Sequence, residues 1–155
     1  MEIYFDNSAT TQPFECAKQA VLSCMTEVYY NPSALYAPAV KVSNLLSEVR
    51  ADFAKELRVR EEEIIFTSGA TEADNMAVLG IARAAAEERR RHGRTASPHV
   101  IVSAIEHEAV LAPARLLEAE GFRVTRLKPN RQGFIEVHAL EESLDEDTVL
   151  VSVQA

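Results

Sequence analysis

One stretch, residues 63–75, constrains the fold more than any other part of the chain. A short apolar run of strand length at residues 64–66 passes through small residues into a helical pattern that begins at Thr71. A strand, a tight turn and a helix in this order leave backbone N–H groups unpaired at the mouth of the helix, where the helix dipole adds positive charge. The pattern therefore predicts a phosphate-binding turn, with the Ser68 and Thr71 hydroxyls as further donors. The alternative is an ordinary turn in which Ser68 is the N-cap residue.

Length and charge narrow the class of protein. The chain has 155 residues, enough for one sizeable core, and a net charge of −8 that argues against a nucleic-acid partner. Arginines cluster at residues 89–94, but acidic residues share the segment, which favours a solvated helix end. No apolar run has membrane-spanning length and no signal peptide precedes Asp6, so we expect a cytoplasmic protein with no membrane partner.

The two cysteines are expected to be structural. Cys16 and Cys24 lie eight residues apart on one predicted helix, too far for a disulfide within it. Both fall near the apolar stripe of that helix, so the pattern predicts buried, reduced thiols.

Strands and helices alternate along the second part of the chain, which predicts an α/β fold with a mostly parallel sheet flanked by helices. Two amphipathic helices precede this part, the first with Pro13 at its first position. Pro113 argues that a later helix starts near that residue. We expect one incomplete domain over residues 1–155, with an N-terminal helical segment at 1–60 and the first part of a cofactor-binding sheet at 61–155. Strands are predicted at residues 64–66, 99–103, 122–127 and 148–153, and residues 3–5 are predicted to be a short strand or an extended entry.

Ligands of open α/β sheets bind outside the carboxyl ends of the strands. The turn from Ser68 to Thr71 follows one predicted strand, and His107 follows the next. An imidazole has a flat face for stacking and titrates near neutral pH. The alternative for His107 is a surface residue between Glu106 and Glu108. No recognised ligand spacing supports a metal site.

Four short motifs together resemble the cysteine desulfurases, which are pyridoxal-phosphate-dependent enzymes of fold type I within the class-V aminotransferase-like group. The motifs are DNSATT at residues 6–11, NPS at 31–33, IIFTSGATEADN at 64–75 and IEH at 105–107. The resemblance covers essentially the whole chain and matches the N-terminal half of the family. It implies a partial large domain of the pyridoxal-phosphate transferase type.

The resemblance also assigns roles to individual residues. It implies that Ala70 and Thr71 hold the phosphate of pyridoxal 5′-phosphate, and that His107 stacks over the pyridine ring and could move protons at the substrate. It places Asn7, Ser8, Ala9 and Asn31 on loops that line the substrate side. The chain departs from the family pattern at Ser8, Ala34, Tyr36 and Asp74, so a selenocysteine lyase or another diverged member stays an alternative.

The resemblance further implies that key groups are absent from these 155 residues. In the family, the Schiff-base lysine and the sulfur-accepting cysteine both follow the region matched here. We therefore expect the chain alone to be inactive as a desulfurase and to bind the cofactor weakly or not at all. The expected partners are a second copy or a complementary C-terminal half, and a sulfur-acceptor protein for the whole enzyme. The alternatives are a non-catalytic half-fold for dimerisation or docking, and an unrelated phosphate-binding α/β protein.

Overall fold

The computed structural model describes residues 3–154 and divides into two compact units, Met1–Ile65 and Phe66–Ala155. The first unit is helical and the second contains a sheet. The expectation of a single incomplete domain with segments at 1–60 and 61–155 stays a prediction. None of the helices in the described part of the chain is long and apolar enough to cross a bilayer.

The first unit holds helix α1, Glu15–Thr26, helix α2, Ala37–Leu57, and a 3-10 turn, Glu61–Glu63. Helix α2 has a proline in its first turn, where the missing N–H costs no hydrogen bond. It ends at Leu57, and its C-cap residue Arg58 has a left-handed backbone (φ 57°) that terminates the helix.

Several predictions for the first unit were wrong in detail. Helix α1 has Phe14 as its N-cap residue, so Pro13 lies outside the helix. Cys16 and Cys24 are exposed free thiols, because α1 buries none of its residues. No strand forms at residues 3–5 or 64–66 in the described structure. The backbone at Ile64 is extended, but a strand also needs a neighbour to pair with, and local pattern does not supply one.

The second unit is built on a three-stranded sheet with the strand order β2-β1-β3. The strands are β1, His99–Ser103, β2, Arg123–Leu127, and β3, Thr148–Ser152. Both neighbours run parallel to β1, with His99 opposite Arg123 on one side and opposite Thr148 on the other. Every residue of β1 is buried, as the near-continuous apolar run of its sequence predicts.

Three helices belong to this unit: α3, Ala70–Arg91, α4, Glu108–Ala119, and α5, Val137–Ser143. One core cluster joins β1 to α3 and α4, so both helices pack on the same face of the sheet. Its buried members are Val78, Ala82, Val100, Val102, Val110, Ala114 and Leu117. The predicted α/β class with a parallel sheet is confirmed.

Helix α4 begins earlier than its sequence suggests. It starts at Glu108 and continues through Pro113, which is buried inside it. A proline in a helix interior has no N–H for the carbonyl four residues earlier, here that of Ala109. This carbonyl accepts a hydrogen bond from the Asn75 side chain instead, at 3.4 Å. A donor from α3 thus helps α4 to accommodate its proline.

Candidate functional site

The mouth of helix α3 presents unfilled backbone donors. Gly69 is the N-cap residue and makes no side-chain cap, and Ala70 and Thr71 are the first two helical residues. Within residues 3–154, no acceptor pairs with the backbone N–H groups of Ala70 and Thr71. Both residues are exposed. Unfilled N–H groups at the positive end of a helix dipole can bind an anion.

Ser68 has neither of its two predicted roles at the start of α3. The Glu72 carboxylate accepts hydrogen bonds from the Ser68 backbone N–H at 2.6 Å and from its hydroxyl at 2.7 Å. These two bonds hold the pKa of Glu72 below its usual value. Because Glu72 occupies both donors, Ser68 is neither the N-cap residue nor a free hydroxyl for a ligand. The donors that remain at this helix start include the amides of Ala70 and Thr71 and the Thr71 hydroxyl.

His107 lies at the corresponding position of helix α4. It is the N-cap residue, and its ring Nδ1 accepts a hydrogen bond from the Ala109 backbone N–H at 3.1 Å. Since a backbone N–H can only donate, Nδ1 carries no proton and the neutral ring is protonated at Nε2. The residue is exposed. The cap therefore orients an imidazole whose Nε2–H and ring faces are available.

The structure brings these two helix starts together. Asn75, in the second turn of α3, reaches the Ala109 carbonyl in the first turn of α4. The helices also pack through the shared core on one face of the sheet. His107 therefore lies at the same end of the unit as Ala70 and Thr71. Their roles towards a cofactor stay predictions.

The carboxyl end of the sheet carries further polar groups that sequence reasoning missed. Ser103, the last residue of β1, is fully buried, and its hydroxyl has no partner among the described residues. Ser152, the last residue of β3, donates to the Glu106 carboxylate at 3.1 Å. This bond ties the segment before His107 to the sheet. Both serines could have been found from the sequence by their position, because each is the last residue of a predicted strand or lies close to its end.

The predicted substrate-side loops lie in the first unit. Ala9 and Thr10 donate their backbone N–H groups to the Asp6 carbonyl, which closes a turn that includes Asn7 and Ser8. Asn31 caps the next turn by accepting the Ser33 backbone N–H at 3.0 Å. Asn7, Ser8, Ala9 and Asn31 are exposed. Their part in substrate binding stays a prediction.

Most polar groups at the opposite end of the second unit are internally paired, although the buried Arg89 Nε has no partner among the described residues. His99 is buried, with Nδ1 3.0 Å from the Thr148 hydroxyl and Nε2 2.8 Å from the Thr125 hydroxyl. Burial, and then the charge of Arg123, lowers the pKa of His99, although Asp145 acts against this shift. The ring is thus neutral in the folded protein at neutral pH.

Arginines surround a concave surface at this end, about 770 Å³ in volume. Those lining it are Arg83, Arg89, Arg90 and Arg94. Arg89 forms a largely buried ion pair with Asp147, whereas Arg90 pairs in solvent with Glu87. The predicted solvated helix end is therefore wrong for Arg89. Helix α3 is about 33 Å long, so this surface is remote from Ala70 and Thr71.

No group of three or more metal-ligating side chains comes together within residues 3–154. The acidic neighbours of His107 therefore form no such group with it. Glu106 bonds to Ser152, and Glu108 pairs with Arg115.

Comparison with known families decides the identity. The aminotransferase class-V family profile matches residues 3–155. The chain belongs to the aminotransferase class-V family. It is similar to the cysteine desulfurase IscS of Clostridium botulinum, with 38% identity over 98% of this chain and 36% of that protein. It is also similar to the NifS/IcsS protein homolog of Lactobacillus delbrueckii, with 40% identity over 97% of this chain and 37% of that protein.

A solved NifS-like protein carries the same fold as this class-V chain. It superposes with a TM-score of 0.84 at 33% identity, over 99% of this chain and 40% of that one. The chain thus spans about two-fifths of the length of its relatives. Homology to the cysteine desulfurases is confirmed over this partial length. Both the cysteine desulfurases and the class-V aminotransferases are pyridoxal-phosphate-dependent families.

Proposed function

We propose that this chain is the N-terminal part of a pyridoxal-phosphate-dependent cysteine desulfurase, the part that holds the phosphate and covers the ring. The whole enzyme converts L-cysteine to L-alanine. The carbon–sulfur bond of the substrate breaks, and its sulfur joins an enzyme thiol as a persulfide. The proton that the enzyme thiol loses ends on the β-carbon of the substrate, which becomes the methyl group of alanine. The sulfur then passes to an acceptor protein for iron–sulfur cluster or thio-cofactor assembly.

One observation carries this proposal: two neighbouring helix starts offer complementary groups. Ala70 and Thr71 present unpaired N–H donors, and His107 presents an imidazole that its own cap has oriented. A side-chain carbon built on Gly69 would meet nothing within 4 Å, so the mouth of α3 is open space. The donors suit a phosphate, and the imidazole face suits an aromatic ring.

The role of each residue follows from its chemistry. When bound, pyridoxal phosphate supplies the electron sink for chemistry at the substrate α-carbon. Ala70 and Thr71 would bind its phosphate and set its position along the helix axis. His107 would cover the ring face and exclude water there, while its Nε2–H offers a proton that the Nδ1 cap keeps on that nitrogen.

The test uses pyridoxine 5′-phosphate as the probe. This compound lacks the aldehyde, so it cannot form Schiff bases with surface lysines and reports the non-covalent site alone. We expect Thr71→Val to weaken its binding about tenfold, the cost of one charge-assisted hydrogen bond. We expect His107→Ala to weaken it roughly threefold to tenfold through lost stacking. Isothermal titration calorimetry measures both dissociation constants.

Matched controls come from the same chain. Thr95 lines the arginine surface, and His138 is an exposed histidine remote in sequence from either helix start. Thr95→Val and His138→Ala should leave the dissociation constant within twofold of the wild type. Binding that weakens in Thr95→Val but not in Thr71→Val would move the anion site to the arginine surface and overturn the proposal.

We also expect the isolated chain to lack desulfurase activity. Its lysines are Lys18, Lys41, Lys55 and Lys128. The resemblance gives none of them the Schiff-base role. The purified chain should therefore release no sulfide from L-cysteine with a thiol reductant above the level of free cofactor. Sulfide release that depends on this chain would contradict the fragment part of the proposal.

We further propose that helix α1 contacts a protein partner. Helix α1 buries no residue and carries a shallow apolar groove of about 330 Å³, lined in part by Val21, Leu22 and Met25. An uncovered apolar groove supports self-association or docking of the complementary half. This observation also favours the second candidate function, a docking or dimerisation module. Sedimentation velocity should show self-association that Leu22→Glu reduces, whereas a compact monomer over all concentrations would count against it.

A further inference from the structure

One asparagine connects the two helix starts of the candidate site. The Asn75 side-chain amide has two N–H groups. One donates to the Thr71 carbonyl at 2.8 Å, and the amide nitrogen also lies 3.4 Å from the Ala109 carbonyl. Thr71 belongs to the proposed phosphate cradle, and the Ala109 N–H holds the ring of His107. A single amide thus contacts both halves of the site.

The first bond sets the direction of the second. Asn75 lies four residues after Thr71 on α3, so its side chain bonds back to a carbonyl of its own helix. This local bond restrains the side-chain rotamer. Asn75 is half-buried, which limits competition from water. The remaining N–H is therefore directed across the helix interface towards α4.

Pro113 provides the acceptor. In a regular helix the N–H of residue 113 would fill the Ala109 carbonyl, and proline has none. The carbonyl is consequently available to a donor from outside α4, and it belongs to a buried residue. A buried carbonyl without a donor costs stability. Pro113 and Asn75 thus form a complementary pair in which one residue withholds a donor and the other supplies it.

We propose that Asn75 is a positioning residue that sets the distance and angle between the phosphate cradle and the stacking imidazole. This inference rests on the proposed function and adds to it a residue that touches neither phosphate nor ring. Asn75 acts through Thr71 on one side, and through Ala109 and His107 on the other. The competing explanation is purely structural: Asn75 only satisfies a carbonyl that Pro113 has left open.

A double mutant separates these explanations. Asn75→Leu removes both donors, and Pro113→Ala restores the N–H that fills the Ala109 carbonyl from within α4. The combined variant therefore has a satisfied carbonyl but no connection between the helices. Pro113→Ala alone is the matched control, since it changes the helix and keeps Asn75.

Two readouts are measured on all four proteins after thermal melting has shown that each folds. The first is the ratio of the dissociation constants of inorganic phosphate and pyridoxine phosphate, which reports the ring contribution independently of the cradle. The second is the tautomer of the His107 ring from its ¹⁵N shifts, which needs no ligand. We expect the double mutant to regain the melting temperature that Asn75→Leu loses. Its ratio should stay roughly threefold lower, as in His107→Ala, and its tautomers should be mixed.

Recovery of both readouts in the double mutant would overturn the inference and leave Asn75 a structural residue. So would an Asn75→Leu variant that keeps the wild-type ratio and tautomer. If wild-type protein binds neither probe, the proposed function fails, but the His107 tautomer still decides whether Asn75 orients the ring. The two failures are thus distinguishable.

Discussion

The two ends of strand β1 treat their polar groups in opposite ways. At the amino end, both ring nitrogens of buried His99 are paired, and Asp147 pairs with Arg89, of which only Nε has no partner within the described residues. At the carboxyl end, the Ser103 hydroxyl has no partner within the described residues, and the first amides of α3 are unfilled. Polar groups that pair internally stabilise a fold, whereas exposed groups left unpaired, such as the first amides of α3, are available to a ligand. The amino end thus supports the structure, and the carboxyl end carries the candidate site.

The largest effect should come from breaking the buried ion pair of the amino end. Asp147→Ala leaves the Arg89 guanidinium, which is only 12% exposed, without its carboxylate. We expect the free energy of unfolding to fall by about 2–3 kcal/mol, because an uncompensated buried charge is costly. Chemical denaturation measures the change. The control Glu87→Ala removes two solvated pairs, with Arg90 and Arg91, and should change stability by less than about 1 kcal/mol; an equal loss in both variants would contradict the assignment.

Removing one partner of His99 should have the next largest effect. Thr125→Val keeps the shape of the side chain but leaves the His99 Nε2 without its hydroxyl partner. We expect a loss of about 1–2 kcal/mol in denaturant unfolding, the cost of an unsatisfied buried polar group. An unchanged unfolding free energy would show that the amino end is less dependent on this network than its geometry indicates.

The hydrogen-bond partners of His99 illustrate what a single sequence does not predict. The sequence predicted β1 as a strand, and its apolar run fits the burial of that strand. It did not predict a buried role for His99. The partners Thr125 and Thr148 become its neighbours only through the register of two other strands. Register is a tertiary property, and a single sequence does not state it.

The residues of the candidate site also fall into two groups, those that the sequence predicted and those that it did not. Ala70, Thr71 and His107 follow from local pattern and family resemblance, because helix starts and strand ends leave signals in sequence. The contribution of Asn75 does not, since its acceptor is exposed by Pro113 on another helix. For the same reason the start of α4 was wrongly predicted. The strand expected at residues 64–66 failed because pairing, unlike apolar pattern, is non-local.

Acid should weaken the amino end through His99. Its pKa is lowered in the folded protein by burial first, so the unfolded chain binds a proton more readily. The His99 contribution is complete above the unfolded pKa, about 6.5, and declines as pH falls towards the lower folded pKa. The slope from one proton is at most about 1.4 kcal/mol per pH unit. Denaturation between pH 7 and 5 should show this slope, and His138→Gln should retain it; a stability that is flat over this range would contradict the prediction.

The smallest effect is expected at the carboxyl end. Ser103→Ala removes a buried hydroxyl that has no partner in the described structure. Because no hydrogen bond is lost, we expect stability to stay equal or to rise by less than about 1 kcal/mol. Measured beside Thr125→Val, this variant contrasts the two ends of the sheet directly. A loss as large as that of Thr125→Val would show that the carboxyl end is also internally paired.

The most direct test of the central claim is a ¹H–¹⁵N NMR titration of the chain with pyridoxine 5′-phosphate. We expect the amides of Ala70 and Thr71 and the ring of His107 to shift together with one dissociation constant. Resonances of His99 and of the arginine surface should stay in place. Shifts centred on Arg89 and Arg94, with Ala70 and Thr71 unmoved, would contradict the assignment of the carboxyl end as the ligand site.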